Sequence, residues 1–234
     1  MRSPSLYLDT NAWVRRDAFE FFRDFDKPYF NVCVRLDVAA LKAAVDAVGP
    51  GLLWRAYHFL ALRLSNQFEP FRLRLDGGRV RIHERVDGSS TVLREDGSFT
   101  FADLDLHAKG EKGDVDSLDF DAFAARSGAS VAAARTRLPP FEPRPQDQAR
   151  IHFTTLPWLH FTSFSHARNW GREDSIPKFA FGRIEKDGAR AWLPMSVEVH
   201  HALMDGLHVG QFVQGFEAAL RDPVAWLVQR QPGS

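Results

Sequence analysis

The chain has 234 residues, of which 44% are hydrophobic, so it can bury the core of one large domain or two small ones. Thirty lysines and arginines balance thirty aspartates and glutamates, so the basic surplus typical of a nucleic-acid partner is missing, and no apolar run is long enough to predict a membrane span. Cys33 is the only cysteine, which excludes an intrachain disulfide framework, is typical of a reducing compartment and predicts a cytoplasmic protein.

The first part of the chain alternates between helical and extended patterns. A Phe-rich segment over 13–25 predicts a short helix, and the alternation over 30–38 predicts a strand. Asp37 is suitably placed to cap the helix that follows, whose apolar stripe ends at Gly49. Residues 52–68 predict a second, longer helix.

The middle of the chain predicts a β-hairpin followed by short strands and a helix. Residues 71–83 alternate around a Gly-Gly pair, which is the hairpin signal. Short strands are predicted at 92–93 and 99–101. An Ala-rich helix is predicted over 118–137, followed by a proline-rich surface connection.

The last third predicts four strands and a helix. Residues 151–156 and 159–164 are apolar, and the segments 178–185 and 189–200 flank a Lys-Asp-Gly turn, which indicates another hairpin. The final helix is expected after Gly206. Helices and strands therefore interleave, which predicts an α/β fold with a mixed sheet and helices packed against it.

The densest cluster of polar residues lies between the last strand and the last helix. Adjacent residues on a strand face opposite sides, so either His200 or His201 can face a cleft while Asp205 stands near the helix start. Spacing alone favours a structural role, with a hydrogen-bonded histidine pair and Asp205 as a helix cap. No metal site is expected, because the pair lacks an intervening Glu and a nearby Cys.

Other catalytic motifs are missing from the sequence. It contains no Gly-x-Gly-x-x-Gly, no phosphate loop and no Gly-x-Ser-x-Gly elbow. Cys33 in an alternating strand is predicted to be a small core residue and not a nucleophile. Chemistry at His201 is therefore expected to use the histidine as a general base on a substrate group.

Three segments together resemble the type A chloramphenicol acetyltransferases. They are His201-Ala-Leu-Met-Asp-Gly, Trp13-Val-Arg-Arg with the following Phe-Glu-Phe-Phe-Arg, and Thr154-Thr-Leu-Pro-Trp. The segments have the family's order and about its spacing. The resemblance covers nearly the whole chain, so residues 1–234 are expected to form a single domain.

The resemblance implies a two-layer sandwich, in which helices flank a mixed β-sheet, as in coenzyme-A-dependent acyltransferases. It also implies a homotrimer with active sites between subunits, acetyl-CoA as co-substrate and no metal. The acceptor would be a small-molecule hydroxyl, chloramphenicol being the family's default. Another acceptor, another acyl group or a non-catalytic acyl-CoA-binding protein are the alternatives.

The resemblance assigns four catalytic residues. His201 would be the general base, and Thr154, where the family has Ser, would donate a hydrogen bond to the oxyanion. Asp205 and Arg15 would form an ion pair, sequestered from solvent, that fixes the loop of His201. A second hydroxyl of the family falls on Ala180, so its contact would be missing here.

The resemblance also assigns binding residues. The predicted acceptor contacts are all aromatic: Phe21, Phe22, Phe101 and Phe164. Arg183 matches a basic residue of the coenzyme A region, although a solvated strand charge is an equal alternative. Ile184 stands where the family often has an aromatic residue, so adenine stacking would come from elsewhere.

Two carboxylates depart from the apolar acceptor pocket of the family. Asp26 and Asp103 occupy positions that are apolar in the family, and burying an unpaired carboxylate is costly. Either both side chains face solvent, or the acceptor carries hydrogen-bond donors or positive charge.

Overall fold

The computed structural model describes residues 6–108, 118–141, 148–168 and 173–227. Within them lie ten strands: β1 Leu6–Tyr7, β2 Tyr29–Asp37, β3 Leu73–Asp76, β4 Arg79–Ile82, β5 Asp87–Leu93, β6 Phe99–Leu104, β7 Arg150–Thr155, β8 Lys178–Phe181, β9 Glu185–Asp187 and β10 Arg190–His200. The same residues contain six α-helices: α1 Arg16–Phe22, α2 Ala39–Asp46, α3 Leu53–Gln67, α4 Phe120–Thr136, α5 Gly206–Arg221 and α6 Pro223–Leu227. None of the described helices is long and apolar enough to span a membrane.

A mixed sheet forms the centre of the fold. Its strand order is β2-β10-β8-β7-β5-β6, and β9 pairs with β10. The β5–β7 and β7–β8 pairs are parallel, whereas the other pairs are antiparallel. A second sheet of order β1-β4-β3 contains the predicted hairpin. The predicted α/β class with a mixed sheet is confirmed.

The register gives the main sheet an apolar face and a polar face. Val197, Phe179 and Phe153 lie side by side and pack in one core cluster with the helices, including Leu60 of α3 and Phe212 of α5. Neighbouring residues on paired strands share a face. The other face, here called the polar face, includes Asn31, Cys33, Ser89, Asp103, His152, Thr154, Lys178, Ala180, Ser196 and Glu198.

Most predicted elements are confirmed, but the strand over 159–164 is wrong. In that segment the backbone turns at Leu159, whose N–H bonds to Leu156 O, and Leu159 O accepts from Arg183 N at 2.7 Å. The neighbouring strand β8 also ends four residues early. A Cβ at Gly182 would lie 2.8 Å from Leu159 O, so the two segments cross closely, and neither 159–164 nor 182–184 is part of a strand.

Two smaller predictions are corrected. Val38, not Asp37, is the N-cap of α2; the Asp37 carboxylate accepts from Ala39 N and Ala191 N, each at 3.1 Å. Cys33 lies outside the core on the polar face, where its Sγ donates to Asn31 Oδ1 at 3.3 Å.

A second apolar cluster supports the turn after β10. Phe19 of α1 is 1% exposed and packs with Leu75 and Val80 of the small sheet. Ala202 and Leu203 of the turn belong to the same cluster. Helix α1 and the small sheet therefore hold the turn that begins at His201.

Candidate active site

His201 is the first residue after β10, and its ring is fixed by aromatic contacts. The ring stacks on Phe22 with centroids 3.9 Å apart and planes at 7°. Phe30 packs against it at 4.8 Å. The backbone N–H donates to Pro28 O at 2.6 Å, and Nδ1 is buried without a hydrogen-bond partner among the described residues. The plane of the imidazole is therefore held before any substrate binds.

Arg15 fastens the backbone of the same turn. Its Nη2 donates to His201 O and its Nη1 to Ala202 O, both at 3.1 Å, and its Nε lies 3.3 Å from Asp205 Oδ2. Burial lowers the pKa of Arg15, while Asp205 acts in the opposite direction. One guanidinium thus binds three acceptors of the turn, so it acts as a structural clamp.

Asp205 forms the ion pair with Arg15 and also caps α5. Its carboxylate accepts from Leu207 N at 3.1 Å, and His208 Nδ1 accepts from Asp205 N at 3.1 Å, which completes a capping box. The Asp205 side chain is 39% exposed. The expected ion pair is therefore present, but the prediction that it is sequestered from solvent is wrong for the carboxylate in this chain.

His200 plays a different part from its neighbour. It is 4% exposed, its Nδ1 accepts from Ala202 N at 3.2 Å, and its ring meets the edge of Tyr29 at 5.1 Å. Burial, together with the charge of Arg168, lowers the pKa of His200 to about 4. A neutral His200 is thus part of the turn, which leaves His201 as the candidate base.

Thr154 and Thr155, at the end of β7, also differ. Thr155 Oγ1 accepts from Trp54 Nε1 at 3.1 Å and bonds to the buried Tyr57 hydroxyl, whose pKa burial raises. Thr154 lies on the polar face beside Ala180, and no other described residue bonds its hydroxyl. Thr154 therefore has a hydroxyl free to donate to a ligand.

A cavity of about 950 Å³ opens beside Thr154. It lies between the start of α3, the end of β7, the bend after β8, the β5–β6 hairpin and α4. Its lining contains Arg55, Arg135 and Arg183 and no acidic residue, and Trp54 and Trp158 supply large aromatic surfaces. Such a lining suits an anionic ligand that carries an aromatic ring.

Of the residues that line the cavity, only Thr154 and Arg183 were assigned a role from the sequence. Arg55 lies so close to α4 that a Cβ at Gly128 would be 2.9 Å from its Nη2. This contact joins residues far apart in the chain, and no local pattern signals it. Trp158 belongs to the segment that starts at Thr154, so the motif could have indicated it.

One chain does not bring Thr154 and His201 together. Thr154 pairs with Ala180, and Ala180 pairs with Ser196. Thr154 and Ser196 therefore lie two strands apart, which is about 10 Å. Ser196 precedes His201 by five residues, which is about 16 Å of extended chain. These separations are too large for both groups to act on one bond.

The predicted acceptor residues also fall into separate groups. Phe21, which is 64% exposed, meets Phe22 at 5.0 Å near His201. Phe101 lies on the edge strand β6, 41% exposed, against Phe99 and Phe141. Only the first pair is close to the candidate base within this chain.

Phe164 and Arg183 lie on irregular segments. Ser196 Oγ donates to Phe164 O at 3.4 Å, so the Phe164 backbone crosses the polar face. Arg183 follows β8, lines the cavity and lies 3.3 Å from Glu185 through its Nη2. It is a partly exposed charge at the cavity and not part of a strand.

Asp26 and Asp103, which replace apolar residues of the family's acceptor pocket, are not buried without a partner. Asp26 is exposed, and Asp103 Oδ1 lies 3.5 Å from Arg150 Nη1. The two carboxylates therefore do not require an acceptor molecule that carries positive charge. In the described residues no group of three or more His, Cys, Asp and Glu side chains is arranged to hold a metal ion.

Comparison with solved structures defines the class of fold. A chloramphenicol acetyltransferase structure is 23% identical, with a TM-score of 0.78 over 93% of this chain and all of the other. The cubic core of a pyruvate dehydrogenase multienzyme complex is 16% identical, with a TM-score of 0.63 over 86% of this chain and 84% of the other. The chain thus has the fold that these two proteins share, with helices flanking the mixed sheet, as predicted.

Sequence comparison identifies the family. The chloramphenicol acetyltransferase pattern matches residues 6–217. Chloramphenicol acetyltransferase 2 of Escherichia coli is 29% identical over 88% of this chain and 92% of its own length. The chloramphenicol acetyltransferase of Streptomyces acrimycini is 29% identical over 94% and 96%. The chain belongs to the chloramphenicol acetyltransferase family and is an acyltransferase, which confirms the resemblance.

Proposed function

We propose that the protein transfers an acetyl group from acetyl-CoA to a hydroxyl of chloramphenicol, with His201 as the general base. The relatives in the family carry this activity in their names. The observation that carries the proposal for this chain is the geometry of His201, whose ring is stacked on Phe22 and whose turn is clamped by Arg15. A protein that only binds acyl-CoA needs no such fixed base.

In the proposed reaction His201 takes the proton of the acceptor hydroxyl while the oxygen of that hydroxyl attacks the thioester carbonyl. This general-base step contributes roughly 10²–10⁴-fold. The Thr154 hydroxyl donates to the oxyanion of the tetrahedral intermediate. When the intermediate collapses, the proton on His201 passes to the departing sulfur, which leaves as the thiol of coenzyme A. No acyl-enzyme forms, and no metal takes part in these steps.

The cavity beside Thr154 is the proposed site for coenzyme A. Its three arginines provide charge for the phosphates, and Trp54 and Trp158 provide aromatic surface for adenine in place of Ile184. Thr154 lines the cavity, so a thioester bound there would lie beside the oxyanion donor. Arg183 is therefore proposed to bind coenzyme A together with Arg55 and Arg135.

We also propose that the single domain of residues 1–234 forms a cytoplasmic homotrimer in which each site combines two subunits. The support is the separation of His201 and Thr154 within one chain, since the reaction needs both at one bond. The exposed aromatic cluster of Phe99, Phe101 and Phe141 offers apolar surface for the contact. The Phe101 and Phe164 side of one subunit would then face His201 of another.

A thiol-release assay with acetyl-CoA and chloramphenicol tests the function. The wild-type protein should release thiol only when the acceptor is present, and His201→Ala should abolish release while the fold and oligomer persist. His200→Asn is the matched control, because the Asn side chain can still accept from Ala202 N, and it should retain turnover. Loss of activity in the control with retention in His201→Ala would mean that the wrong histidine has been assigned.

A further inference from the structure

Four charged side chains are buried beside the end of β10. Arg168 Nε lies 2.7 Å from Glu198 Oε1, and Arg168 Nη1 lies 3.1 Å from Asp174 Oδ1. Lys178 Nζ lies 2.9 Å from Asp174 Oδ2. The four side chains are 3 to 10% exposed. Buried ion pairs seldom stabilise a fold more than apolar residues of the same volume, so stability alone does not account for them.

Arg168 and Glu198 fasten the loop of Phe164 to strand β10. Glu198 Oε2 accepts from His166 N at 3.1 Å while its Oε1 binds Arg168. Burial by itself would raise the pKa of Glu198, but the hydrogen bonds from His166 and Arg168 lower it to about 2. The carboxylate therefore stays ionised at neutral pH and holds the loop three residues before His201.

The same guanidinium reaches the other segment that supports His201. The Cζ atom of Arg168 lies 4.2 Å from the centroid of the Tyr29 ring, and the Tyr29 hydroxyl donates to Asp174 O at 2.8 Å. Tyr29 follows Pro28, whose carbonyl accepts from His201 N. Arg168 thus contacts β10, which ends next to His201, and the first residue of β2, which follows Pro28.

We propose that Arg168 and Glu198 are positioning residues that couple the Phe164 loop to His201. They touch no reacting atom. Together they hold the acceptor-binding loop against the strand end that carries the base. In the proposed trimer this loop and this base belong to two different active sites, so both sites depend on the contact. This inference rests on the proposed function, because it requires Phe164 to bind the acceptor. It assigns a role to charges that neither the general-base step nor the coenzyme A cavity uses.

Steady-state kinetics of Arg168→Met, Glu198→Gln and the double variant test this proposal. Each single change should lower kcat/KM for chloramphenicol by roughly 10- to 100-fold, as expected when a reacting group is displaced by about 1 Å. The KM for acetyl-CoA should stay at the wild-type value, because the cavity is lined by other residues. The double variant should lose much less than the product of the two single losses, since neither charge is then left unpaired.

Arg63→Met is the matched control. Arg63 is also buried, lies 5.2 Å from the Trp226 ring centroid and donates to Trp226 O, but it is remote from the proposed machinery. The Arg63→Met variant should have a lower melting temperature but unchanged KM values for chloramphenicol and acetyl-CoA.

The outcomes separate the two proposals. If Arg168→Met and Glu198→Gln behave like Arg63→Met, with lower stability and unchanged kinetics per folded molecule, the cluster is structural only and the positioning proposal is wrong. If wild-type protein does not acetylate chloramphenicol at all, the proposed function fails, and the positioning proposal falls with it. Glu198→Gln is nearly isosteric, so it gives a folded variant to measure should Arg168→Met fail to fold.

Discussion

At the scale of single residues, the site is built from neighbours with opposite roles. His200 accepts from the backbone of the turn, whereas His201 stacks on Phe22 and its Nδ1 has no hydrogen-bond partner among the described residues. Thr155 bonds to α3, whereas Thr154 lies on the polar face. Because side chains alternate along a strand, the two members of each pair face opposite sides. One member therefore packs in the fold while the other is available for the proposed reaction.

Thr154→Val should remove the oxyanion donor with little change in shape. Loss of one such donor costs about 10²–10³-fold in kcat, while the melting temperature should hardly change. Thr154→Ser should keep most of the rate because it retains the hydroxyl. Thr155→Val is the control, and it should lower the melting temperature through its lost bonds to Trp54 and Tyr57. A rate loss confined to the Thr155 variant would assign the donor to Thr155.

The lowered pKa of His200 predicts how stability depends on pH. The unfolded chain protonates this histidine near pH 6.5, whereas the folded chain protonates it only near pH 4. Its contribution is therefore complete above pH 6.5 and is lost as the pH falls to about 4, by up to about 3 kcal/mol. The buried His58 and the partly buried His152 also have lowered pKa values and act in the same direction.

Unfolding curves between pH 7 and pH 4 check this prediction. His200→Asn cannot be protonated, so its free energy of unfolding should fall less steeply over that range than that of the wild-type protein. Parallel slopes for the two proteins would show that His200 has the same pKa in the folded and the unfolded chain, contrary to its burial.

At the scale of elements, periodicity predicted the helices and strands well wherever one face is apolar. It failed at 159–164, because an apolar run is compatible with a strand and the sequence does not show that Gly182 lets a second segment cross it. It also could not show that the hairpin around Gly77 belongs to a separate small sheet. Both outcomes depend on contacts between distant segments.

The turn between β10 and α5 yields a prediction about Arg15 and Asp205. Arg15→Ala leaves two backbone carbonyls and a carboxylate without their donor, so it should lower both stability, by about 1–3 kcal/mol, and turnover. Asp205→Asn should cost less, about 1 kcal/mol or below, because the carboxylate is partly exposed and an Asn can still cap the helix. Melting temperatures and kcat of both variants check this order.

The double variant Arg15→Ala/Asp205→Asn tests the pairing itself. Residues in direct contact couple, so its loss should be smaller than the sum of the single losses. Strictly additive losses would show that the 3.3 Å contact contributes no coupling. Asp205→Asn with unchanged stability and abolished turnover would instead make Asp205 part of the proton transfer.

At the scale of the whole molecule, the sequence indicated the residues that lie in motifs but not those that meet through the fold. His201, Arg15 and Asp205 were all predicted, and the structure brings them into contact. Arg55 and Arg135 come from different helices, and only packing shows that they share a cavity. The buried charges around Arg168 were missed because they are dispersed over a loop and two strands.

Mixing inactive subunits tests the proposed assembly of the active site. His201→Ala and Thr154→Val each damage one half of the site, and within one chain these residues are too far apart to act together. If each site of a trimer takes His201 from one subunit and Thr154 from the next, random reassembly of equal amounts should restore about one quarter of wild-type activity. A site would be intact wherever a Thr154→Val subunit supplies the histidine and a His201→Ala subunit supplies the threonine. The unmixed variants and a mixture kept native, without subunit exchange, are the controls. No recovery after verified exchange would mean that both residues must come from the same chain, and light scattering that gives a monomer would contradict the trimer directly.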